Sequence, residues 1–169
     1  LVGISDPLSI WDMGGLARNL PTGTYTFEDL DDTTRATLAA LGWAFGAYRF
    51  DKYKEITPLK ATLHWPVACD RNQIERTIQA TFLVRDLINT PAEDMGPSEL
   101  EKVSRILVKK YRAKLKVIKG DQLLTQKFPA IYAMGRASDD APRLIDIIWG
   151  KATHPKVTLV GKGVCFDTG

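Results

Sequence analysis

A run of apolar residues at helical spacing is the first pattern along the chain. Asp31, Asp32 and Thr33 offer helix caps just before it. The apolar residues then recur three or four positions apart, at Leu38, Leu41, Phe45 and Tyr48. This spacing predicts an amphipathic helix of about five turns that ends near Tyr53, with its aromatic side chains packed in a core.

A second helix is predicted over residues 71–88, after Asp70 as its N-cap. Its broad apolar face holds Ile74, Ile78, Leu83, Leu87 and Ile88. Between the two helices, apolar and polar residues alternate over residues 59–65, which predicts a half-buried strand that Pro66 ends. A shorter strand is predicted within residues 22–27. His64 falls on the polar face of the alternation, so we expect an exposed side chain with no metal role.

Pro91 separates this part of the chain from a second set of elements. The segment Asn89-Thr90-Pro91-Ala92 predicts a hinge, because proline cannot continue a helix and biases the residue before it toward an extended conformation. Pro97 then suits the first turn of a helix that reaches about Lys110. Apolar runs predict strands over residues 115–118, 143–149 and 157–160. Residues 129–134 fit a short helix or an extended segment, and periodicity does not decide between them.

The order of elements beyond residue 70 predicts an α/β fold built in layers around a mixed sheet. Hydrophobic residues make up 44% and charged residues 25% of the chain, as in soluble globular proteins. The net charge of +3 is too small and too scattered to indicate nucleic-acid binding. No apolar run approaches the roughly 18 residues of a membrane span. Cys69 and Cys165 lie far apart, which favours a reducing compartment over a disulfide framework.

The last stretch of the chain carries the candidate chemistry. The predicted strand over residues 157–160 leads into a loop with glycines at positions 161, 163 and 169, which allow positive φ and close backbone approach. Lys162 and Asp167 lie in this loop, just past an apolar strand, where α/β enzymes place polar groups. Taken alone, an ordinary strand-to-turn junction with a solvated lysine and aspartate explains these residues equally well.

The loop sequence Gly-Lys-Gly-Val-Cys-Phe-Asp-Thr-Gly, residues 161–169, closely resembles the metal-binding signature of the leucyl aminopeptidases, the cytosolic two-metal peptidases. Other stretches fit this family in the expected order, at residues 43–53, 89–92, 95–97, 135–138 and 142–145. The resemblance covers roughly residues 36–169. Gly96 departs from it, because the family more often has threonine at this N-cap position.

The resemblance implies a two-metal aminopeptidase. Lys162 would bind one metal ion as a neutral amine, Asp167 would bridge both ions, and Gly161 and Gly163 would shape the loop. The ions would be Zn²⁺ or Mn²⁺, or Mg²⁺, and would activate a water molecule and polarise the scissile carbonyl. Peptides would be the substrates and would lose N-terminal residues of the leucine type. The family also implies a homo-oligomer, a hexamer, in the cytoplasm.

The family's remaining metal carboxylates, its catalytic lysine and its catalytic arginine lie beyond this motif and match no residue of the chain. We therefore expect a piece of the enzyme, truncated at both ends, with no catalytic residue of its own and no activity by itself. Residues 1–66 would be a remnant of an N-terminal α/β domain and residues 67–90 a linker helix. Residues 91–169 would form the first part of the mixed-sheet α/β catalytic domain.

Two other functions fit parts of the sequence. Phe-Asp-Thr-Gly, residues 166–169, has the form of an aspartic peptidase motif, but that mechanism needs a second aspartate and a mostly β fold. A truncated homologue that acts as a non-catalytic structural or interaction module would explain the missing ligands. Three further candidate ligands have settings that argue against metal binding: Asp121 in a turn, Asp146 on a strand face and His154 at a loop tip.

Overall fold

The computed structural model describes residues 8–165 and divides the chain into two compact units. The first unit is Leu1–Asn89 and the second is Thr90–Gly169. The division falls within residues 89–92, the segment whose proline predicted a hinge. In its described part, each unit combines helices with one two-stranded sheet, so the predicted α/β class is confirmed. No helix among residues 8–165 is long and apolar enough to cross a membrane.

The N-terminal unit contains two long helices and a short parallel sheet. A 3-10 helix at Ile10–Met13 and helix α1 at Leu16–Asn19 precede strand β1 at Gly23–Tyr25. Helix α2 at Thr33–Ala47, strand β2 at Ala61–Leu63 and helix α3 at Arg71–Asn89 follow. The two strands pair in parallel, with Gly23 opposite Ala61 and Tyr25 opposite Leu63. Both strands lie within the predicted ranges and are shorter than predicted.

Helix α2 begins at its predicted cap and ends earlier than predicted. The Asp32 side chain accepts a hydrogen bond from the Arg35 backbone N–H at 2.8 Å, which satisfies a group that the first turn leaves unpaired. The helix stops at Ala47, because the backbone becomes extended at Tyr48, with φ −54° and ψ 133°. The prediction that it continues to about Tyr53 is therefore wrong.

Two arginines from neighbouring helices satisfy the carbonyl groups at this helix end. Arg18 on α1 donates from Nε to the Gly46 carbonyl at 2.7 Å and from Nη2 to the Tyr48 carbonyl at 2.9 Å. Arg85 on α3 donates to the Phe45 carbonyl at 2.9 Å. Helix α2 has no basic residue in its own last turn, so these cations stabilise its negative end from outside. The end of α2 thus depends on tertiary contacts that its local pattern does not contain.

Two glycines on α2 let the N-terminal segment approach the helix backbone closely. A Cβ at Gly42 would lie 2.1 Å from the Ile10 carbonyl oxygen, and a Cβ at Gly46 would lie 1.9 Å from the Gly14 carbonyl oxygen. Non-bonded atoms attract best at separations of about 3.5–4.0 Å, and both of these are far inside the repulsive range. The packing therefore requires glycine at both positions.

The core of the N-terminal unit lies between α2, the short strands and α3. Trp43 is buried, and its ring centre lies 6.2 Å from that of Tyr25 and 6.5 Å from that of Phe27. Tyr48, from the predicted aromatic face of α2, is half-buried and lies 5.0 Å from the Phe82 ring. These aromatic side chains therefore pack against other aromatic rings of the unit, as predicted.

Helix α3 also begins at its predicted cap. The Gln73 backbone N–H donates to Asp70 Oδ1 at 2.9 Å, and the Asp70 backbone N–H donates to Thr37 Oγ1 at 2.9 Å. Ile74 is 1% exposed and packs with Leu41 of α2 and its neighbours. Ile88 is 74% exposed, so the predicted apolar face is buried only in part.

The C-terminal unit confirms most of the predicted elements. Its described residues form helix α4 at Pro97–Tyr111, strand β3 at Lys114–Lys119, helix α5 at Gln122–Thr125, helix α6 at Pro129–Gly135 and strand β4 at Arg143–Ile148. Strands β3 and β4 pair antiparallel, with Lys119 opposite Arg143. Residues 129–134, for which the sequence left a helix and an extended segment open, lie in helix α6.

One predicted strand is wrong. Residues 157–160 form no strand, and Val157, Leu159 and Val160 are 82%, 92% and 91% exposed. A strand needs a neighbouring strand to supply hydrogen-bond partners, and within residues 8–165 β3 and β4 pair only with each other. The predicted mixed sheet is likewise not formed in this range, which holds one parallel and one antiparallel pair.

Candidate metal-binding loop

The candidate metal-binding loop is exposed as far as the structure describes it. Lys162 is exposed and lies outside helices and strands. A Cβ at Gly161 or Gly163 would meet no atom within 4 Å, and neither glycine has a positive φ. The described geometry therefore does not require glycine at these two positions, and their role in shaping the loop stays a prediction. Asp167 lies outside the described residues.

The described residues do not supply a complete set of metal ligands. Among residues 8–165, no three histidine, cysteine, aspartate or glutamate side chains lie together in a way that could hold a metal ion. Lys162 and Asp167 would contribute one amine and one carboxylate, donors that suit a borderline divalent cation such as Zn²⁺. A divalent metal site needs roughly four to six ligands. Lys162 and Asp167 could therefore supply some, but not all, of the ligands of a metal site.

The settings predicted for the other candidate ligands are confirmed. His64 is exposed beside β2, and His154 is exposed in a turn where its N–H donates to the Lys151 carbonyl at 3.0 Å. Asp121 lies in the turn that precedes α5. Asp146 is exposed on β4, opposite Lys116 of β3.

An ion cluster that the sequence did not reveal lies where β4 begins. The Arg143 side chain is 4% exposed. Its guanidinium donates to Glu101 Oε2 on α4 at 2.6 Å, to Asp140 Oδ1 at 2.5 Å and to the Ala141 carbonyl at 3.0 Å. The one local signal is an aspartate three positions before the arginine. Glu101 lies 42 residues away in the sequence, so no spacing rule finds it.

Asp140 also completes the N-terminus of α4. Gly96 is the N-cap residue and has no side chain that could accept a hydrogen bond. The Ser98 backbone N–H instead donates to Asp140 Oδ2 at 2.8 Å, and a Cβ at Gly96 would lie 2.7 Å from that oxygen. Because residue 96 is a glycine, there is room at this N-terminus for the side chain of a distant residue to act as the cap.

The surroundings lower the pKa of both carboxyl groups. A hydrogen bond from Arg105 is the largest cause of the lowered pKa of Glu101, and a bond from Arg143 adds to it against the opposing effect of burial. Burial acts to raise the pKa of Asp140, but the hydrogen bonds from Ser98 and the positive charges of Arg143 and Lys119 outweigh it, so this pKa is lowered. Both groups therefore carry their charge at neutral pH.

Acid should loosen this cluster. Because both pKa values are lowered on folding, the unfolded chain binds more protons in the acid range. The stabilisation is therefore complete above the ordinary carboxyl pKa of about 4 and is lost as the pH falls below it. Glu101→Gln should flatten the decrease in unfolding free energy between about pH 5 and pH 2, measured by urea denaturation.

Glu99→Gln is the matched control for this pH series. Glu99 lies on the same helix, is 42% exposed and pairs with Lys102, so its removal should leave the slope unchanged. Equal slopes for the protein and Glu101→Gln would contradict the electrostatic contribution assigned to the cluster.

The charges of this cluster also affect the pKa of Cys165, the last described residue of the loop. Desolvation by nearby atoms and the negative charge of Asp140 raise the pKa of the Cys165 thiol, and the positive charge of Arg143 partly offsets them. Cys165 is a free, exposed cysteine, yet both charges reach it.

Two protein-family models match the chain, and both describe the same kind of peptidase. The N-terminal domain of M17 aminopeptidases matches residues 1–66, and the catalytic domain of the cytosol aminopeptidase family matches residues 82–169. Both descriptions define the protein as an aminopeptidase homologue. Because the catalytic-domain match alone covers more than half of the chain, the chain belongs to the cytosol aminopeptidase family.

Individual relatives agree with this assignment. A probable cytosol aminopeptidase of Corynebacterium efficiens is 32% identical over 143 residues, which are 78% of this chain and 28% of that protein. The crystal structure of cytosol aminopeptidase from Coxiella burnetii is 46% identical with a TM-score of 0.87, over 94% of this chain and 35% of that one. The bottromycin maturation enzyme in complex with Mn is 27% identical with a TM-score of 0.59, over 71% of this chain and 26% of that one.

This chain therefore spans 26–35% of the length of these three relatives. None of the three is described as an aspartic peptidase, so that alternative is not favoured. The non-catalytic alternative is not favoured either, because the relatives are named as enzymes.

Proposed function

We propose that this chain is part of a metal-dependent aminopeptidase that releases N-terminal amino acids, of the leucine type, from peptides. The observation that carries the proposal is the match of residues 82–169 to the family's catalytic domain, because this range contains Lys162 and Asp167. A structural relative described in complex with Mn, the bottromycin maturation enzyme, favours divalent metal dependence.

In this proposal Lys162 and Asp167 hold two divalent ions together with ligands from outside the 169 residues. Lys162 would supply a neutral amine as a ligand, and Asp167 would supply a carboxylate to both ions. Gly161 and Gly163 would shape the loop that carries these two ligands. Zn²⁺ or Mn²⁺, or Mg²⁺, would supply Lewis-acid polarisation of the scissile carbonyl and a water of lowered pKa.

The complete protein is proposed to act in the cytoplasm as a homo-oligomer, a hexamer, with peptides as substrates and no nucleic-acid or membrane partner. Residues 1–66 would belong to its N-terminal domain, residues 67–90 to a linker helix and residues 91–169 to the first part of its catalytic domain. The family matches support this division, because one ends at residue 66 and the other begins at residue 82, inside α3.

The first measurement is the intact mass of the protein. A mass near 18.8 kDa means that the remaining ligands are absent, and no hydrolysis by the chain itself is then expected. A mass more than twice as large identifies a longer enzyme, which should hydrolyse a leucine anilide. EDTA should abolish that hydrolysis and added Mn²⁺ or Zn²⁺ should restore it.

The chelator experiment separates the alternatives. Hydrolysis that persists in EDTA would contradict a metal mechanism and would favour an aspartic peptidase. A longer, folded protein that binds no metal and hydrolyses no peptide would favour the non-catalytic module.

A further inference from the structure

One face of helix α3 is bound to the end of α2 over its last two turns. The residues of this face are three or four positions apart, the spacing of neighbours on a helix surface: Phe82, Arg85, Asp86 and Asn89. Each of them contacts Phe45 or Tyr48, at the end of α2. The proposed chemistry uses none of these residues.

Tyr48 is the centre of these contacts. Its hydroxyl group donates to Asp86 Oδ1 at 2.8 Å and accepts a hydrogen bond from Asn89 Nδ2 at 3.1 Å, so it is used both as a donor and as an acceptor. Its ring centre lies 5.0 Å from that of Phe82. A single side chain thus contacts three residues in the last two turns of α3.

Arg85 holds the same end of α3 by a second set of contacts. Its guanidinium carbon lies 5.2 Å from the ring centres of both Phe45 and Tyr48, within the range of a cation–π interaction. Its Nη1 donates to the Phe45 carbonyl at 2.9 Å. The Tyr48 carbonyl in turn accepts a hydrogen bond from Arg18 on α1. The backbone of Tyr48 is thus tied to α1 and its side chain to α3.

The last two turns of α3 lie where the two units meet along the sequence. The catalytic-domain match begins at residue 82 and includes these turns. The four residues of the bound face nevertheless contact α2, and Asn89 is the last residue both of α3 and of the N-terminal unit. The last carbonyl groups of a helix have no partner within the helix, so an end without tertiary contacts frays. The contacts of Tyr48 and Arg85 oppose such fraying.

We infer that Tyr48 is a clamp that keeps the last two turns of α3 attached to the N-terminal unit. The proposed linker helix then moves with that unit. Movement between the two units takes place after Asn89, where Pro91 prevents the helix from continuing. This role rests on the proposed division of the chain into domains and does not depend on the metal ions.

Hydrogen–deuterium exchange of the full-length protein, followed by mass spectrometry of its peptides, tests the clamp. In the wild type, the backbone amides of residues 82–89 should exchange within about tenfold of the rate of residues 74–81, because both groups lie in one attached helix. Tyr48→Phe keeps the ring and removes the hydroxyl group that binds Asp86 and Asn89. Exchange in residues 82–89 should then become roughly threefold to tenfold faster, as expected for the loss of partly exposed hydrogen bonds. Exchange in residues 74–81 should stay unchanged.

Tyr25→Phe is the matched control. It also removes a hydroxyl hydrogen bond within the N-terminal unit, the one from Tyr25 to the Pro21 carbonyl at 3.0 Å. Because this bond does not involve α3, the exchange of all amides in α3 should stay as in the wild type.

Asp86→Ala approaches the same hydrogen bond from its acceptor. Alone, it should also raise the exchange rate in residues 82–89. Combined with Tyr48→Phe, it should raise that rate by less than the product of the two single effects, because both substitutions remove the same bond. A combined effect equal to the product would show that the Tyr48 hydroxyl and the Asp86 carboxylate act independently, and would contradict the clamp.

Three results would overturn the inference. Rapid exchange of residues 82–89 in the wild type would show that the end of α3 is not attached. Unchanged exchange in Tyr48→Phe would remove the role of the hydroxyl group, and faster exchange spread evenly over the N-terminal unit would show a general effect on stability.

Hydrolysis of a leucine anilide, with and without EDTA, is measured on the same preparations. An inactive protein with the expected exchange pattern would contradict the proposed function and support the clamp. An active, EDTA-sensitive protein without this pattern would support the proposed function and overturn the clamp.

Discussion

Replacing Lys162 with methionine in the full-length protein should lower kcat/KM for a leucine anilide by roughly a thousandfold or more, because metal polarisation and water activation contribute several kcal/mol to the transition state. Methionine keeps the length of the side chain and removes the amine, and its soft thioether is not a ligand for Mn²⁺. The bound metal, measured by elemental analysis after gel filtration, should fall with the activity.

Lys156→Met is the matched control for this experiment. Lys156 is an exposed lysine in the same irregular segment, six positions earlier, and it lies outside the metal-binding signature. Its replacement should leave metal content and kcat/KM unchanged. Because Lys162 is exposed, neither substitution should change the unfolding free energy by more than about 0.5 kcal/mol. Retained activity in Lys162→Met, or equal losses in both variants, would remove Lys162 from the metal site.

Gly46→Ala should destabilise the N-terminal unit by roughly 3 kcal/mol or more. Helix propensity alone predicts the opposite sign, because alanine is favoured over glycine in a helix by up to about 1 kcal/mol. The added Cβ would lie 1.9 Å from the Gly14 carbonyl oxygen, and backbone atoms cannot move aside as a flexible side chain can. The segment that would have to shift also carries Met13 and Ala17, which are 0% and 1% exposed.

Urea denaturation followed by circular dichroism measures this effect, and Gly23→Ala is the control within the same unit. The atoms nearest to a Cβ at Gly23 would be those of the Tyr25 side chain, at 3.5–3.7 Å, which is ordinary contact. The control should therefore change stability by less than about 1 kcal/mol. A Gly46→Ala variant as stable as the wild type would show that the N-terminal segment does not pack on α2 in this way.

Helix starts were predictable because their signals are local. Asp32 and Asp70 cap α2 and α3 as predicted, and Pro97 begins α4. An N-cap side chain bonds an N–H two or three positions away, so the sequence holds both partners of that interaction. The end of α2 was not predictable, because Arg18 and Arg85, which bond its last carbonyl groups, come from other helices.

The candidate loop could be found from sequence because its residues are consecutive. Residues 161–169 carry the resemblance to the metal-binding signature without any tertiary information. The ion cluster around Arg143 could not be found in this way. Glu101 and Arg143 are 42 positions apart, and only the packing of α4 against the start of β4 makes them partners.

By itself, the sequence determined the class of the fold, the N-caps of α2 and α3 and the family signature at its end. These features depend on neighbouring residues whose relation is set by the period of a helix or by the order of a motif. Only the tertiary structure decided three other features. The N-terminal segment approaches the backbone of α2 closely at Gly42 and Gly46, and Asp140 caps α4 next to Gly96. Residues 157–160 form no strand. Each of these depends on atoms that come from distant parts of the chain, and hydrogen bonds and van der Waals contacts act only at the short range that folding creates.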